Sequence, residues 1–150
     1  MSLCALCAGD GGTLVHRGAT WRVIRADEAN FPAFYRVVWT DHVAEFSDLS
    51  PGDRAECMAV VATVEQVLRT QLQPTKINLA ALGNMVPHLH WHVVARFADD
   101  THFPDPVWAP ARRPADEAQL ARVRQRLPML DDAMRAAIIQ FCVDSASCAG

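Results

Sequence analysis

The run His88-Leu89-His90-Trp91-His92 places three imidazoles at alternate positions. Successive side chains of a strand point to opposite faces, so on a strand His88, His90 and His92 would share one face while Leu89, Trp91 and Val93 point to the core. Packing alone does not call for three imidazoles on one face. A single metal ion explains the run poorly. Alternate Cα atoms of a strand lie about 6.6 Å apart, which separates His88 from His92 by about 13 Å, whereas zinc takes its nitrogens at about 2.0–2.1 Å. A metalloenzyme could still use His88 with His90 or His92 and ligands from elsewhere. Nucleophilic catalysis suits the spacing better, because a neutral imidazole attacks phosphorus near neutral pH. One ring would attack, a neighbour on the same face would donate a hydrogen bond to the phosphoryl oxygens, and another would orient the attacker. The loop just before the run, Gly83-Asn84-Met85-Val86-Pro87, offers Asn84 and the amides around Gly83 to the same phosphate.

The elements that must position these rings are legible from pattern. Asp10-Gly11-Gly12 reads as a turn, and Thr13 to His16 with Trp21 to Arg25 as a hairpin reversing around Gly18. Arg36 to Thr40 is a third strand. Ser50 is the expected N-cap of a long helix, with Pro51 at its first position and Asp53 in its first turn. Cys57, Val60, Val61, Val64, Val67, Leu68 and Leu72 recur at helical spacing, which predicts one buried face ending before Pro74. Lys76 to Ala81 and Leu89 to Phe97 are the remaining strands, and the Pro- and Asp-rich stretch from Asp99 to Pro114 is expected to be irregular. Two helices, Pro114 to Leu127 and Leu130 to Phe141, are expected to be separated at Pro128. Strands, helix, strands, then helices predict an α+β fold with a mainly antiparallel sheet, one long helix and C-terminal helices. The expected division is a catalytic domain over 1–110, with 111–150 as a C-terminal helical extension of the same domain.

Composition narrows the function. A chain of 150 residues suits one domain, and 51% hydrophobic content supplies a core. A net charge of −3 and a pI near 6.0 argue against a nucleic-acid partner. Of the 14 basic residues only Lys76 is a lysine, and arginine suits bidentate phosphate contacts. No stretch approaches the roughly 18 apolar residues of a membrane span, and no basic segment followed by an apolar run opens the sequence. The expectation is therefore a cytoplasmic protein without a membrane partner. The five cysteines, Cys4, Cys7, Cys57, Cys142 and Cys148, are an odd number and fit a reducing compartment better than a disulfide framework. Cys4-Ala5-Leu6-Cys7 has zinc-ligand spacing, although two small thiols packed in a core fit it as well. Cys57 falls on the apolar helix face, His16 and His102 read as surface histidines, and Trp108 with His102 could rim a ligand.

His88-Leu89-His90-Trp91-His92-Val93-Val94 resembles the signature of the histidine triad (HIT) family, His-φ-His-φ-His-φ-φ with φ apolar, and matches it completely. The resemblance runs from Cys4 to Arg96. It takes in the Cys-x-x-Cys pair, Asp41-His42 ahead of Asp48-Leu49-Ser50-Pro51, the long helix, and Asn78 and Asn84 before the triad. It implies an α+β homodimer that hydrolyses or transfers nucleotides through a covalent nucleotidyl-histidine intermediate. His90 would be the nucleophile, His92 would bind and polarise the phosphate, and His88 would support the geometry. Asn84 stands where the family commonly places a Gln on the phosphate, Asn78 matches a second amide position, and Asp27 is nearest to the ribose-contacting acid. Some members hold a structural zinc at positions matching Cys4, Cys7, His42 and His88, while the chemistry itself requires no cofactor. The implied substrate is a small nucleotide such as diadenosine tetraphosphate or an adenosine phosphoramidate. The competing reading is a non-catalytic nucleotide-binding regulatory dimer.

Overall fold

The computed structural model describes residues 3–146. A single helical turn, α1 (Ala5–Ala8), precedes the hairpin β1 (Thr13–Arg17) and β2 (Trp21–Arg25). Then come β3 (Phe34–Trp39), a 3-10 turn at Phe46–Asp48, α2 (Pro51–Leu72), β4 (Lys76–Ala80), β5 (His90–Arg96) and α3 (Glu117–Ser145). The five strands form one sheet in the order β1-β2-β3-β5-β4, and every pairing is antiparallel. The α+β expectation holds.

The long helix starts where its cap chemistry says it should. Ser50 Oγ accepts the Asp53 amide at 3.1 Å, Pro51 opens the first turn, and Gln73 ends the helix in the left-handed region ahead of Pro74. The seven apolar positions read from its periodicity are the buried ones. They pack on one face of the sheet against Trp21, Val23, Tyr35, Val37, Val93 and Ala95. Trp91 turns to that face too and meets Phe46 edge-on, with ring centroids 5.6 Å apart.

The C-terminal region departs from expectation. One 29-residue helix runs through Pro128 instead of two helices meeting there, and it begins at Glu117 behind the N-cap Asp116 rather than at Pro114. Proline removes one backbone donor and crowds the carbonyl four residues earlier. Here Pro128 and Arg124 both lie on the exposed side, where water can serve that carbonyl, while Val123, Leu130, Met134 and Ile138 stay buried on the inner side. Apolar packing on both sides of the proline outweighs the local break. Asp131 ties the helix to the sheet by accepting from Tyr35 Oη at 2.6 Å and from Arg25 Nε at 3.1 Å.

The opposite face of the sheet bears His90, His92, Val94 and Arg96 from β5, with Phe34 and Arg36 from β3 beside them. The stretch between β5 and α3, expected to be irregular, has no helix or strand but is tightly bonded. Asp100 accepts the amides of His102 and Phe103 at 2.9 and 2.7 Å and the buried Arg96 Nε at 2.7 Å. Arg113 Nη1 closes the loop on the Asp100 and Phe103 carbonyls. His102 is consequently buried against Phe31 instead of lying at the surface, because its neighbours are gathered on Asp100. His16 is half-buried beside Trp21. Cys4, Cys7 and Cys57 are free thiols, Cys57 in the core, whereas Cys142 is disulfide-bonded, against the expectation of thiols alone. Cys148 lies outside the described residues.

Candidate active site and cysteine–histidine cluster

The three histidines divide between two sites because the β5 ladder begins at His90. Just before it, the Leu89 amide donates to the Val43 carbonyl at 2.7 Å and the Leu89 carbonyl accepts the Trp39 amide at 3.1 Å. This stitches the start of the run to the segment following β3, where His42 stands. His88 is fully buried. Its Nε2 donates to the Trp39 carbonyl at 2.7 Å. A carbonyl only accepts, so the proton sits on Nε2 and Nδ1 carries a lone pair. That Nδ1 lies 3.5 Å from Cys4 Sγ and 3.4 Å from Cys7 Sγ, and Cys7 Sγ lies 3.3 Å from His42 Nδ1.

The donor atoms of Cys4, Cys7, His42 and His88 all fall within 4.8 Å of one another. A tetrahedral zinc with bonds of about 2.3 Å to sulfur and 2.0–2.1 Å to nitrogen sets sulfur–nitrogen edges of about 3.6 Å. The observed edges match that figure, two thiols and two imidazoles are a zinc-type donor set, and the Trp39 carbonyl supplies the outer bond that orients a ligating ring. The residues present fit the ion.

On the strand itself, His90 Nδ1 donates to the His88 carbonyl at 2.6 Å. The same logic fixes this tautomer, leaving the lone pair on Nε2. His92 has its Nδ1 occupied as an acceptor by Arg36 Nε at 3.3 Å, so its proton is on Nε2. The His90 and His92 rings stand 4.8 Å apart, edge to face. Burial lowers the pKa of His90 below the ordinary histidine value, and the neighbouring Arg36 adds to the effect. Burial, then His90, then Arg36 push His92 down to about 3. Both rings are therefore neutral near pH 7: one offers a nucleophilic nitrogen, the other an N–H donor.

The other sequence candidates are placed less centrally. Asn78 lies on the histidine-bearing face, paired with Val94 across β4–β5, and its Oδ1 accepts from Arg96 Nη1 at 2.8 Å. Asn84 is exposed in the turn after Gly83, and its side chain makes no hydrogen bond among the described residues. A cavity of about 70 Å³ between that turn and the strand is lined by Gly83, Phe46, His88 and His90. Asp27 is exposed just past β2. Its neighbour Glu28 is the acid that turns to the site, 3.8 Å from Arg36 Nη2.

Sequence reasoning missed Phe34, whose ring meets His92 edge-on at 5.3 Å, and Arg36. Trp108 also meets His92, at 5.3 Å, while remaining 53% exposed; His102, expected to rim a ligand with it, is buried against Phe31 instead. From there Trp108 overlooks a groove of about 580 Å³ along β4, lined also by Asn78, Leu79 and Ala80. The available signal for Arg36 was its position on a strand otherwise made of Phe, Tyr, Val and Trp, where a charge must earn a partner.

Comparison with known proteins agrees with this geometry. Residues 13–99 match the model of the HIT domain family. A histidine triad protein from Bradyrhizobium japonicum is 28% identical, with a TM-score of 0.70 over 91% of this chain and 97% of that one. A histidine triad (HIT) protein from Sinorhizobium meliloti is 27% identical, with a TM-score of 0.62 over 77% and 90%. A zinc-bound histidine triad family protein from Mycobacterium smegmatis shares the fold at 22% identity, with a TM-score of 0.58 over 96% and 95%. No curated protein matches. The family model covers more than half of the chain, and the chain therefore belongs to the HIT domain family, a superfamily of nucleotide-binding hydrolases and transferases.

Proposed function

We propose that the protein is a nucleotidyl hydrolase or transferase working through a nucleotidyl-histidine intermediate on His90. The observation that carries this reading is the 2.6 Å bond from His90 Nδ1 to the His88 carbonyl, which leaves a lone pair on Nε2 of a ring that stands beside His92. In the first step Nε2 attacks phosphorus and a nitrogen–phosphorus bond forms. The bond to the leaving oxygen or nitrogen breaks, and the leaving group departs with the electron pair. A phosphate leaves as its anion; an amine takes a proton from water. The charge arising on His90 is stabilised through Nδ1–H by the His88 carbonyl. His92 Nε2–H donates to the phosphoryl oxygens as their charge grows. In the second step water adds to phosphorus, the lone pair returns to Nε2 and the proton passes to solvent; with an acceptor hydroxyl in place of water the same step is a transfer. Dinucleoside polyphosphates and adenosine phosphoramidates both satisfy this scheme.

Cys4, Cys7, His42 and His88 would hold a structural zinc. Their donor spacing supports it, and a relative of the same fold is zinc-bound. Bound there, the ion would tie α1 to the start of β5 and so fix the carbonyl on which His90 depends. The outer edge of β4, which has no strand partner among the described residues, would form the homodimer interface, with Leu79 exposed on it and Leu82 just after it. The cytoplasm is the compartment proposed.

The deciding experiment is a single-turnover reaction with a nucleotide labelled at its α-phosphorus, quenched and mapped by mass spectrometry. Label is expected on His90. Full turnover by His90→Ala would sink the reading.

A further inference from the structure

Besides Arg17, which is ion-paired with Asp10, three arginines stand on the histidine-bearing face of the sheet, and two of them are saturated. Arg22 is 3% exposed and donates to the carbonyls of Leu6, Gly9 and Asp10. Arg96 is 1% exposed and spends its donors on Asp100, Asn78 and the Asp105 carbonyl. Arg36 is different. Its Nε is engaged with His92, yet neither of its Nη atoms has a hydrogen-bond acceptor among the described residues. The nearest carboxylate is Glu28, at 3.8 Å and largely exposed. The guanidinium is held from below by the Phe34 ring, with its carbon 5.3 Å from the ring centroid. Its strand neighbours fix it between β2 and His92.

We propose that Arg36 is a substrate-contacting catalytic residue, whose Nη groups take the phosphoryl oxygens of the nucleotide while Glu28 holds them when no nucleotide is bound. This rests on the reading of His90 and His92 as a nucleotidyl-transfer pair. At 3.8 Å the contact with Glu28 is beyond hydrogen-bond distance and its carboxylate is solvent-exposed, so it is readily exchanged for a closer anion. A guanidinium with free parallel N–H groups binds a phosphate in a fork, which is a stronger and more directional contact. The charge lies beside His92, the ring that the scheme sets against the phosphoryl oxygens as His90 attacks. Arg36 would thereby serve two atoms at once: Nε fixes the His92 tautomer, and the Nη pair meets the anion that the His92 N–H also addresses. No covalent step is added to the scheme.

The test titrates the full-length protein with AMP and with adenosine by calorimetry, with tryptophan fluorescence as a second readout. Arg36→Gln is expected to weaken AMP binding by about tenfold or more and to leave adenosine binding unchanged. Arg36→Lys, which keeps the charge and loses the fork, should fall between. Glu28→Gln removes the competing anion and should tighten AMP by about twofold or more, again without effect on adenosine. Unchanged AMP affinity in Arg36→Gln, or equal weakening toward both ligands, overturns the proposal. If Arg36→Gln does not fold, unchanged AMP affinity in Glu28→Gln overturns it instead. The outcomes separate from those of the parent reading. Label on His90 with an Arg36-independent AMP affinity defeats the clamp alone. Arg36-dependent AMP binding with no label on His90 defeats the covalent scheme and leaves the clamp. Failure of the wild type to bind AMP at all defeats both.

Discussion

The cluster around His88 and the pair His90–His92 are built from the same side chain, two residues apart, and each ring is set by one bond to a carbonyl or a neighbouring donor. What differs is which nitrogen is left over and what surrounds it. At His88 the Trp39 carbonyl takes Nε2–H, and the free Nδ1 is buried against two sulfurs and a second imidazole. At His90 the His88 carbonyl takes Nδ1–H, and the free Nε2 belongs to a half-buried ring on an open face. A lone pair enclosed by soft donors suits the metal ligand proposed at His88, whereas a lone pair on the open face suits the nucleophile proposed at His90. The second arrangement hangs from the first, since the backbone of His88 orients His90. A failure of the cluster should therefore reach the pair, and a failure of the pair should not reach the cluster.

The largest expected effect breaks that symmetry at His90. His90→Ala should lower turnover by about a thousandfold or more, while the melting temperature and metal content stay at wild-type values. A variant that loses its metal would show the dependence running the wrong way. Next in size is the cluster. The protein is expected to carry one zinc per chain by elemental analysis, and Cys7→Ser or chelation should lower Tm by roughly 5 °C or more. Turnover should fall with it, because the His88 carbonyl is released. Chelation that strips the metal and leaves kcat and Tm unmoved would disconnect the two regions.

How much of this was readable in advance follows from range along the chain. The alternation from His90 to His92, the Ser50 cap and the buried stripe of α2 are local patterns, and the structure has them where the pattern puts them. Three histidines on one strand face was a local extrapolation too. It omitted that the ladder starts at His90, which the pairing of Leu89 with Val43 and Trp39 decides. For Arg36 the apolar strand around it signalled that a partner was needed but not which one, because His92 is 56 residues away. The segment after β5 lacks periodicity, yet a single carboxylate, Asp100, orders it through three backbone amides and one arginine. Continuation through Pro128 was decided by burial on the inner side of α3, a tertiary effect that outweighs the residue's local preference.

A smaller effect separates the regions by pH. Below its ordinary value, the His90 pKa leaves the nucleophile unprotonated, so the acid limb of kcat/KM should lie below pH 6.5 and the rate at pH 6.5 should exceed about half its plateau. For stability, the sign comes from His92, which titrates near 3 when folded and near the ordinary value when unfolded. Between about 6.5 and 3 the unfolded chain binds the extra proton, so stability falls as pH falls through that window. His92→Gln should flatten this part of the Tm–pH curve; an unchanged slope would mean the ring is not buried neutral.

The smallest expected effect lies at Trp108, the one large contact to His92 that comes from the bonded loop instead of the sheet. Its ring is half exposed and contributes no hydrogen bond to the histidine pair, so it can shape the approach of a ligand without taking part in bond making. Trp108→Ala should therefore raise KM by roughly three- to tenfold, the scale of one lost aromatic contact, and change kcat by less than about twofold. The loop should survive, because its order comes from Asp100, Arg96 and Arg113 and not from the tryptophan. A kcat that drops in step with KM unchanged would instead show that Trp108 holds His92 in place during the reaction. That would move the boundary between scaffold and chemistry from β5 out onto the loop.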